Sequence, residues 1–224
     1  MNSLDNQMTV RYNKYIIFVI QKKNGGVNMN LQIKDDFIPG TRLLRSDYAG
    51  NVTGIEFLEK IFFISDGVML NQIREISGID GSTLQNWTKR GWVENSKCKK
   101  YNINQLAHIL IINMLRSCMQ LDKIAGLIQY INGRVDDRSD DIIADSILYD
   151  YICKILDHLM TYEVCSLGSL KQAIVTVTEG YEEKIPGAKL RLTNALEIIV
   201  IAYYASLIKK HADSMIDNLF GRSI

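Results

Sequence analysis

The stretch MLNQIREISGIDGSTLQNWTKRGWV, residues 69–93, leaves its backbone few choices. Apolar residues at 70, 73 and 76 recur every three positions, which suits one face of a helix. Gly78 then predicts a stop, because glycine enters the left-handed conformation that closes a helix without steric penalty. Asp80 or Ser82 can cap a second helix over 82–90, which closes at Gly91. Within it Leu84 and Trp87 lie three apart and face the core, so Thr83, Gln85, Asn86, Lys89 and Arg90 fall on the other faces. Two helices joined by so tight a turn, the second polar and basic on its outside, meet the requirements of a helix-turn-helix.

The flanking sequence extends this unit. VENSKCKKYN, residues 93–102, carries Lys97, Lys99 and Lys100 on what is expected to be a β-hairpin wing ending at Tyr101. Asn102 and Gln105 form a capping-box start for a strongly apolar helix, and Leu121 to Tyr130 predicts another that turns at Asn132-Gly133. IEFLEKIFFI, residues 55–64, reads as a short amphipathic helix upstream. After the acidic loop RVDDRSDD, a continuous helix is expected over 141–160 with Ile143, Ile147, Tyr151, Ile155 and Leu159 on one face. Two more follow, over about 167–180 and over 188–219. Residues 1–28 look peripheral around a short β-like patch, either a terminal strand or an extension ahead of a natural start at Met29. Residues 29–53 read as a loop-rich connector.

The expected architecture is all-α with a small wing, in three parts. Residues 1–54 are a partly flexible extension and connector, 55–133 the helix-turn-helix domain, and 134–224 a helical C-terminal domain. Only two prolines, Pro39 and Pro186, interrupt 224 residues, which leaves long runs for helices.

A net charge of +1 gives no whole-chain case for polyanion binding, but the charge is uneven. From 71 to 123 eight Lys and Arg face four acids, whereas from 134 to 163 three bases face eight acids. One surface therefore suits phosphates and another avoids them, although two ordinary solvated faces would give the same count.

Cys98, Cys118, Cys153 and Cys165 form no close pair, so free thiols and a cytoplasmic location are expected, with Cys118 and Cys153 as small buried residues. ALEIIVIAYYASLI, residues 195–208, falls short of a membrane span and carries Glu197, so it reads as a buried helix rather than a membrane segment. The Asn51-Val-Thr sequon has no meaning in that compartment. No Cys or His pair has metal-ligand spacing, and no phosphate-binding or nucleophile motif occurs. Asp136, Asp137, Asp140 and Asp141 suggest capping and dipole charge at a helix start. The reading is of a protein that is not an enzyme and needs no cofactor or metal.

In Gly78, Thr83-Leu84, Trp87, Gly91-Trp92, Lys99-x-Tyr101 and Leu121-x-x-Ile124, the order of residues over about 69–128 resembles the winged helix-turn-helix of MerR-type regulators. It is also similar to an uncharacterised bacterial domain-of-unknown-function family related to them, with an IQNW…RGW signature. The resemblance implies double-stranded DNA as partner and pairing as a homodimer through the helix that follows the domain. The helix over 141–160 is the candidate for that pairing by position, and the one over 188–219 its competitor. Departures stand at Gln85, where the MerR pattern has arginine, at Asn86, where it often has tyrosine, and at Arg74, where it packs alanine.

The functional expectation is a transcriptional regulator that reads a duplex operator. Gln85 and Asn86 can make paired hydrogen bonds to an adenine edge. Lys89, Arg90, Lys97, Lys99 and Lys100 suit phosphates, and Thr83 and Tyr101 complete the candidate contact set. The C-terminal helices leave room for a small effector or a protein partner. The alternatives are an interaction adaptor with this fold that does not bind DNA, and an architectural DNA binder without sequence preference.

Overall fold

An apolar helix with almost no polar face must be enclosed by others, and α4 (Ile103–Leu115) is such a helix. The computed structural model describes residues 7–13, 16–23, 26–33, 35–48, 52–135, 137–160 and 167–221. Asn51, Asp136 and Cys165 lie outside the described residues.

In α4 every residue from Gln105 to Leu115 except Asn113 is buried. It packs on α6 (Asp145–Met160), which also touches α1 (Gly54–Phe62), α7 (Leu167–Val177) and α8 (Ala188–Leu219). α5 (Leu121–Asn132) closes the bundle against α4 and α8. One contiguous core runs from Ile38 to Leu207, across the division expected between 133 and 134. The fold is mostly helical, with eight α-helices among the described residues.

Two short helices ride on this bundle. α2 (Leu70–Ser77) ends at Gly78, whose φ of 72° is the left-handed conformation that the sequence signals there. α3 (Gly81–Lys89) starts after Asp80, whose side chain accepts the Thr83 N–H at 2.8 Å, so Asp80 rather than Ser82 is the cap. Asn113 fastens the pair to α4: its amide donates to the carbonyls of Ser77 at 2.9 Å and Gly40 at 2.8 Å. The start of α4 shows the expected reciprocal cap between Asn102 and Gln105.

The connector before α1 is tied down. Ile38 is fully buried, Tyr149 donates to the Pro39 carbonyl at 2.7 Å, and the Thr53 hydroxyl donates to Asp157 at 2.6 Å.

Several expectations change. The all-α class omits an antiparallel sheet of β1 (Gln7–Asn13), β2 (Ile16–Lys23) and β3 (Gly26–Ile33), in which Met29 pairs with Ile20. The β2–β3 register runs from Ile16 with Ile33 to Lys23 with Gly26.

In place of the β-hairpin expected over 93–102, β5 (Lys100–Tyr101) pairs with β4 (Val68–Met69), ahead of α2. α6 begins at Asp145 rather than 141, so the Asp140 and Asp141 carboxylates do not cap it. Its buried face runs through Leu148, Ile152, Cys153, Ile155, Leu156 and Leu159, while Ile147 and Tyr151 lie at the margin. α6 packs against α1, α4, α7 and α8 and leaves a narrow edge through Ile147, Tyr151 and Lys154 open to solvent. Cys118 is exposed, its thiol donating to the Ala202 carbonyl at 2.9 Å, whereas Cys153 is buried as expected and its pKa is pushed up to about 12, chiefly by burial.

A polar network locks the α5–α6 corner to α4. Asp145 is fully buried and accepts from Arg138 Nη1 at 2.9 Å, with His108 Nδ1 3.3 Å away; His108 Nε2 donates to the Trp92 carbonyl at 2.8 Å. Asn132 completes the corner through the Ile143 carbonyl at 2.7 Å. Burial alone would raise the Asp145 pKa, but the bonds and charges of His108 and Arg138 hold it below the ordinary carboxylate range. Removing one partner of a buried pair leaves the other without compensation, so Asp145→Ala is expected to lower the unfolding free energy by about 3–5 kcal/mol. Urea denaturation at neutral pH measures it.

Candidate nucleic-acid interface

The division of labour within α3 follows its period. Leu84 and Trp87 are each 1% exposed and pin the helix to the core, which turns Gln85, Asn86, Lys89 and Arg90 to solvent. The Arg116 guanidinium at the end of α4 lies 5.8 Å above the Trp87 ring, a stacking contact that the sequence pattern did not reveal. Trp92 is partly buried beside the core, and the Arg90 guanidinium lies 5.1 Å over its ring. Arg74, which stands where the MerR pattern packs alanine, is exposed on α2.

Asp80 shapes the electrostatics of the first turn. Its carboxylate accepts the Ser82 hydroxyl, the Thr83 N–H at 2.8 Å and the Thr83 hydroxyl at 2.9 Å. These bonds, the Ser82 hydroxyl foremost, hold its carboxyl far below the usual range. The α3 N-terminus therefore carries its own anion and disfavours a phosphate there. Thr83, expected to touch a ligand, has both its N–H and its hydroxyl engaged in this cap.

Lys97 and Lys100 bond each other's backbones at 3.0 and 2.9 Å, making a tight turn around Cys98 and Lys99. Cys98 at φ 51° and Lys99 at φ 62° both adopt the left-handed conformation, an uncommon choice for residues with a Cβ. The turn holds Lys97, Lys99 and Lys100 exposed at its edge. Glu94 stands 4.0 Å from the Lys97 ammonium and 3.7 Å from Arg138, a weak solvated pairing.

Between α3 and this turn lies an open groove of ≈ 620 Å³. Gln85, Lys89, Lys99 and Tyr101 of the expected contact set line it, together with Leu70, Thr88, Asn95 and Ser96. A second hollow of ≈ 590 Å³ continues past Asn95 and Ser96 to Lys97, Gln129 and Arg134. Asn86, Arg90 and Lys100 are exposed nearby but line neither. Tyr101 is only 8% exposed: it belongs to the core and presents one edge to the groove. Thr88, Asn95 and Ser96 went unassigned from sequence, although the polar run Glu94–Ser96 marked that loop.

No group of three His, Cys, Asp or Glu among the described residues could hold a metal ion. The groove offers amides, hydroxyls and cations, donors suited to phosphates and base edges.

A model of the family described as a domain of unknown function (DUF1836) matches residues 57–152, from α1 into α6. It takes in α2, α3 and the 97–100 turn, and leaves out the N-terminal sheet, α7 and α8. The chain is also similar to Uncharacterized protein YkrK of Bacillus subtilis (strain 168), 26% identical in a match of 160 residues that covers 66% of this chain and 68% of that one. No solved structure matches.

The cap at Asp80 yields a pH test. A carboxyl whose folded pKa is depressed contributes stability above its unfolded value, here 3.8, and loses it as pH falls towards the folded value. Asp80→Ala is expected to lower the melting temperature at neutral pH, with the gap to the parent protein shrinking below pH 3.8. Thermal unfolding of both proteins across that range checks it.

Proposed function

We propose that this protein is a DNA-binding transcriptional regulator of MerR-like winged helix-turn-helix type. In this reading α3 enters the major groove, the 97–100 turn lies against the adjacent backbone, and the protein acts as a cytoplasmic homodimer on a duplex operator. The observation that carries it is the groove shared by Gln85 and Lys89 of α3 with Lys99 of the turn. An amide pair able to read a base edge and cations able to meet phosphates are thus joined on one exposed surface.

The roles divide by chemistry. Asn86 and Gln85 are the base readers, with adenine the partner their amides fit best. Lys89, Lys97, Lys99 and Lys100 meet phosphates and displace condensed counterions. Arg90 joins them by leaving its place over Trp92. Thr83 acts at one remove, by setting the first turn of α3. A helix of nine residues reads few base pairs, so two copies on a two-fold site are the economical route to specificity.

Selection of bound duplexes from a random pool, with salt titration of each hit, tests the proposal. Asn86→Ala and Gln85→Ala are each expected to cost about 1–3 kcal/mol of discrimination at one base position while leaving weak binding to other sequences intact. Lys99→Glu is expected to weaken every duplex alike and to flatten the salt slope by about one to two. If no duplex is retained even at low salt, the DNA reading fails and the exposed α3 surface belongs to an interaction adaptor. Sequence-blind binding with a steep salt slope indicates an architectural role.

A further inference from the structure

α8 has two apolar faces, and the fold covers one of them. Leu192, Leu196, Ile199, Tyr203 and Leu207 are buried against the bundle. On the opposite side Asn194, Ile198, Ile201, Ala205, Ile208, Ala212, Met215 and Leu219 are all exposed. Their spacing alternates four and three without a break, the 3.5-residue repeat of a coiled-coil seam. The helix carries seven Asp, Glu, Lys and Arg between Lys189 and Asp217, and none falls on the seam. Lys209 and Asp213 instead pair with each other at 2.7 Å on its flank.

The C-terminal part of α8 adds a second observation. From Ile208 to Leu219 no residue is buried, and only His211, Ser214 and Asp217 are half-buried, so Ile208, Ala212, Met215, Ile216 and Leu219 all stay exposed along the last three turns. A helix draws most of its stability from packing, and one that leaves Met215, Ile216 and Leu219 in water lacks its partner surface.

The seam also specifies the partner. A two-fold axis placed midway between Ser206 and Leu207 maps it onto itself, exchanging Asn194 with Leu219, Ile198 with Met215, Ile201 with Ala212 and Ala205 with Ile208. The two central layers then set isoleucine against alanine, which keeps the helix separation even. In-register parallel pairing would stack alanine on alanine and isoleucine on isoleucine, giving alternately thin and thick layers. The antiparallel arrangement also opposes the helix dipoles and lays each projecting end on the partner's anchored half.

We infer that α8 is the surface through which two copies of this chain pair, antiparallel and seam to seam over Asn194–Leu219. A strip of 26 residues is about 39 Å long, and two helices packed along it bury on the order of 800 Å² per copy, the size of a standard stable interface. This deepens the two-fold pairing in the proposed function and places it on α8, not on the helix after the helix-turn-helix unit. It does not require DNA, so either reading can fail alone.

The test uses the full chain without DNA. Sedimentation equilibrium is expected to give a dimer, and Ile201→Glu combined with Ile208→Glu to weaken it more than about 100-fold with an unchanged circular dichroism spectrum. Under mild oxidation, a chain carrying Ile201→Cys mixed with one carrying Ala212→Cys is expected to cross-link beyond either variant alone and beyond the parent chain. α8 is also long and apolar enough to cross a membrane by length and composition, with half of its apolar window buried in the fold. Flotation of the parent chain with phosphatidylcholine–phosphatidylglycerol vesicles therefore belongs in the same experiment, and is expected to be absent. A monomer at tens of micromolar, cross-linking of Ile201→Cys to itself, or flotation lost in the double glutamate variant would each overturn the inference.

Discussion

The packing of α4 on α6 is the contact on which the rest of the molecule depends. α4 has nearly no face that water can wet, so its burial must be completed on every side. α6 covers one side, and α1, α5 and α8 cover others. The polar groups trapped at this junction are held by partners: Asp145 by Arg138 and His108, Asn113 by two backbone carbonyls. This arrangement makes the bundle a rigid support, and α2 and α3 are fastened to it through Ile73, Ile79, Leu84 and Trp87.

That support explains how a nine-residue helix can present side chains in a defined direction. α3 contributes two residues to the core and four to solvent, with its first turn set by Asp80. The 97–100 turn is held independently by β5 pairing with β4, and β4 leads directly into α2. The groove between α3 and the turn therefore has walls from two segments that share one anchor. The same economy appears in α8, whose inner face closes the bundle while its outer face repeats every 3.5 residues.

Much of this was legible locally. A helix stop at Gly78, a cap within Asp80–Ser82 and the reciprocal cap of Asn102 with Gln105 each involve residues three or four positions apart, so their chemistry is written in the order of the chain. The core roles of Leu84 and Trp87 follow from helical spacing for the same reason. The burial of Tyr101 was not legible in this way, because it depends on pairing with Val68, over thirty residues away in the chain. Cys118 was misread: it lies in the apolar-looking segment after α4, but the chain turns there and leaves it at the surface.

By itself, then, the sequence determined where α2 ends, where α3 and α4 begin, and which residues of α3 point inward, because those choices rest on backbone sterics and near-neighbour hydrogen bonds. The tertiary structure decided which of two apolar faces would be covered. α6 and α8 both carry apolar residues enough to pair with another helix, and only the bundle shows that most of the α6 surface is buried while α8 keeps a continuous seam in water. Burial is a property of the whole packing, and no stretch of chain records which of its faces the others will reach first.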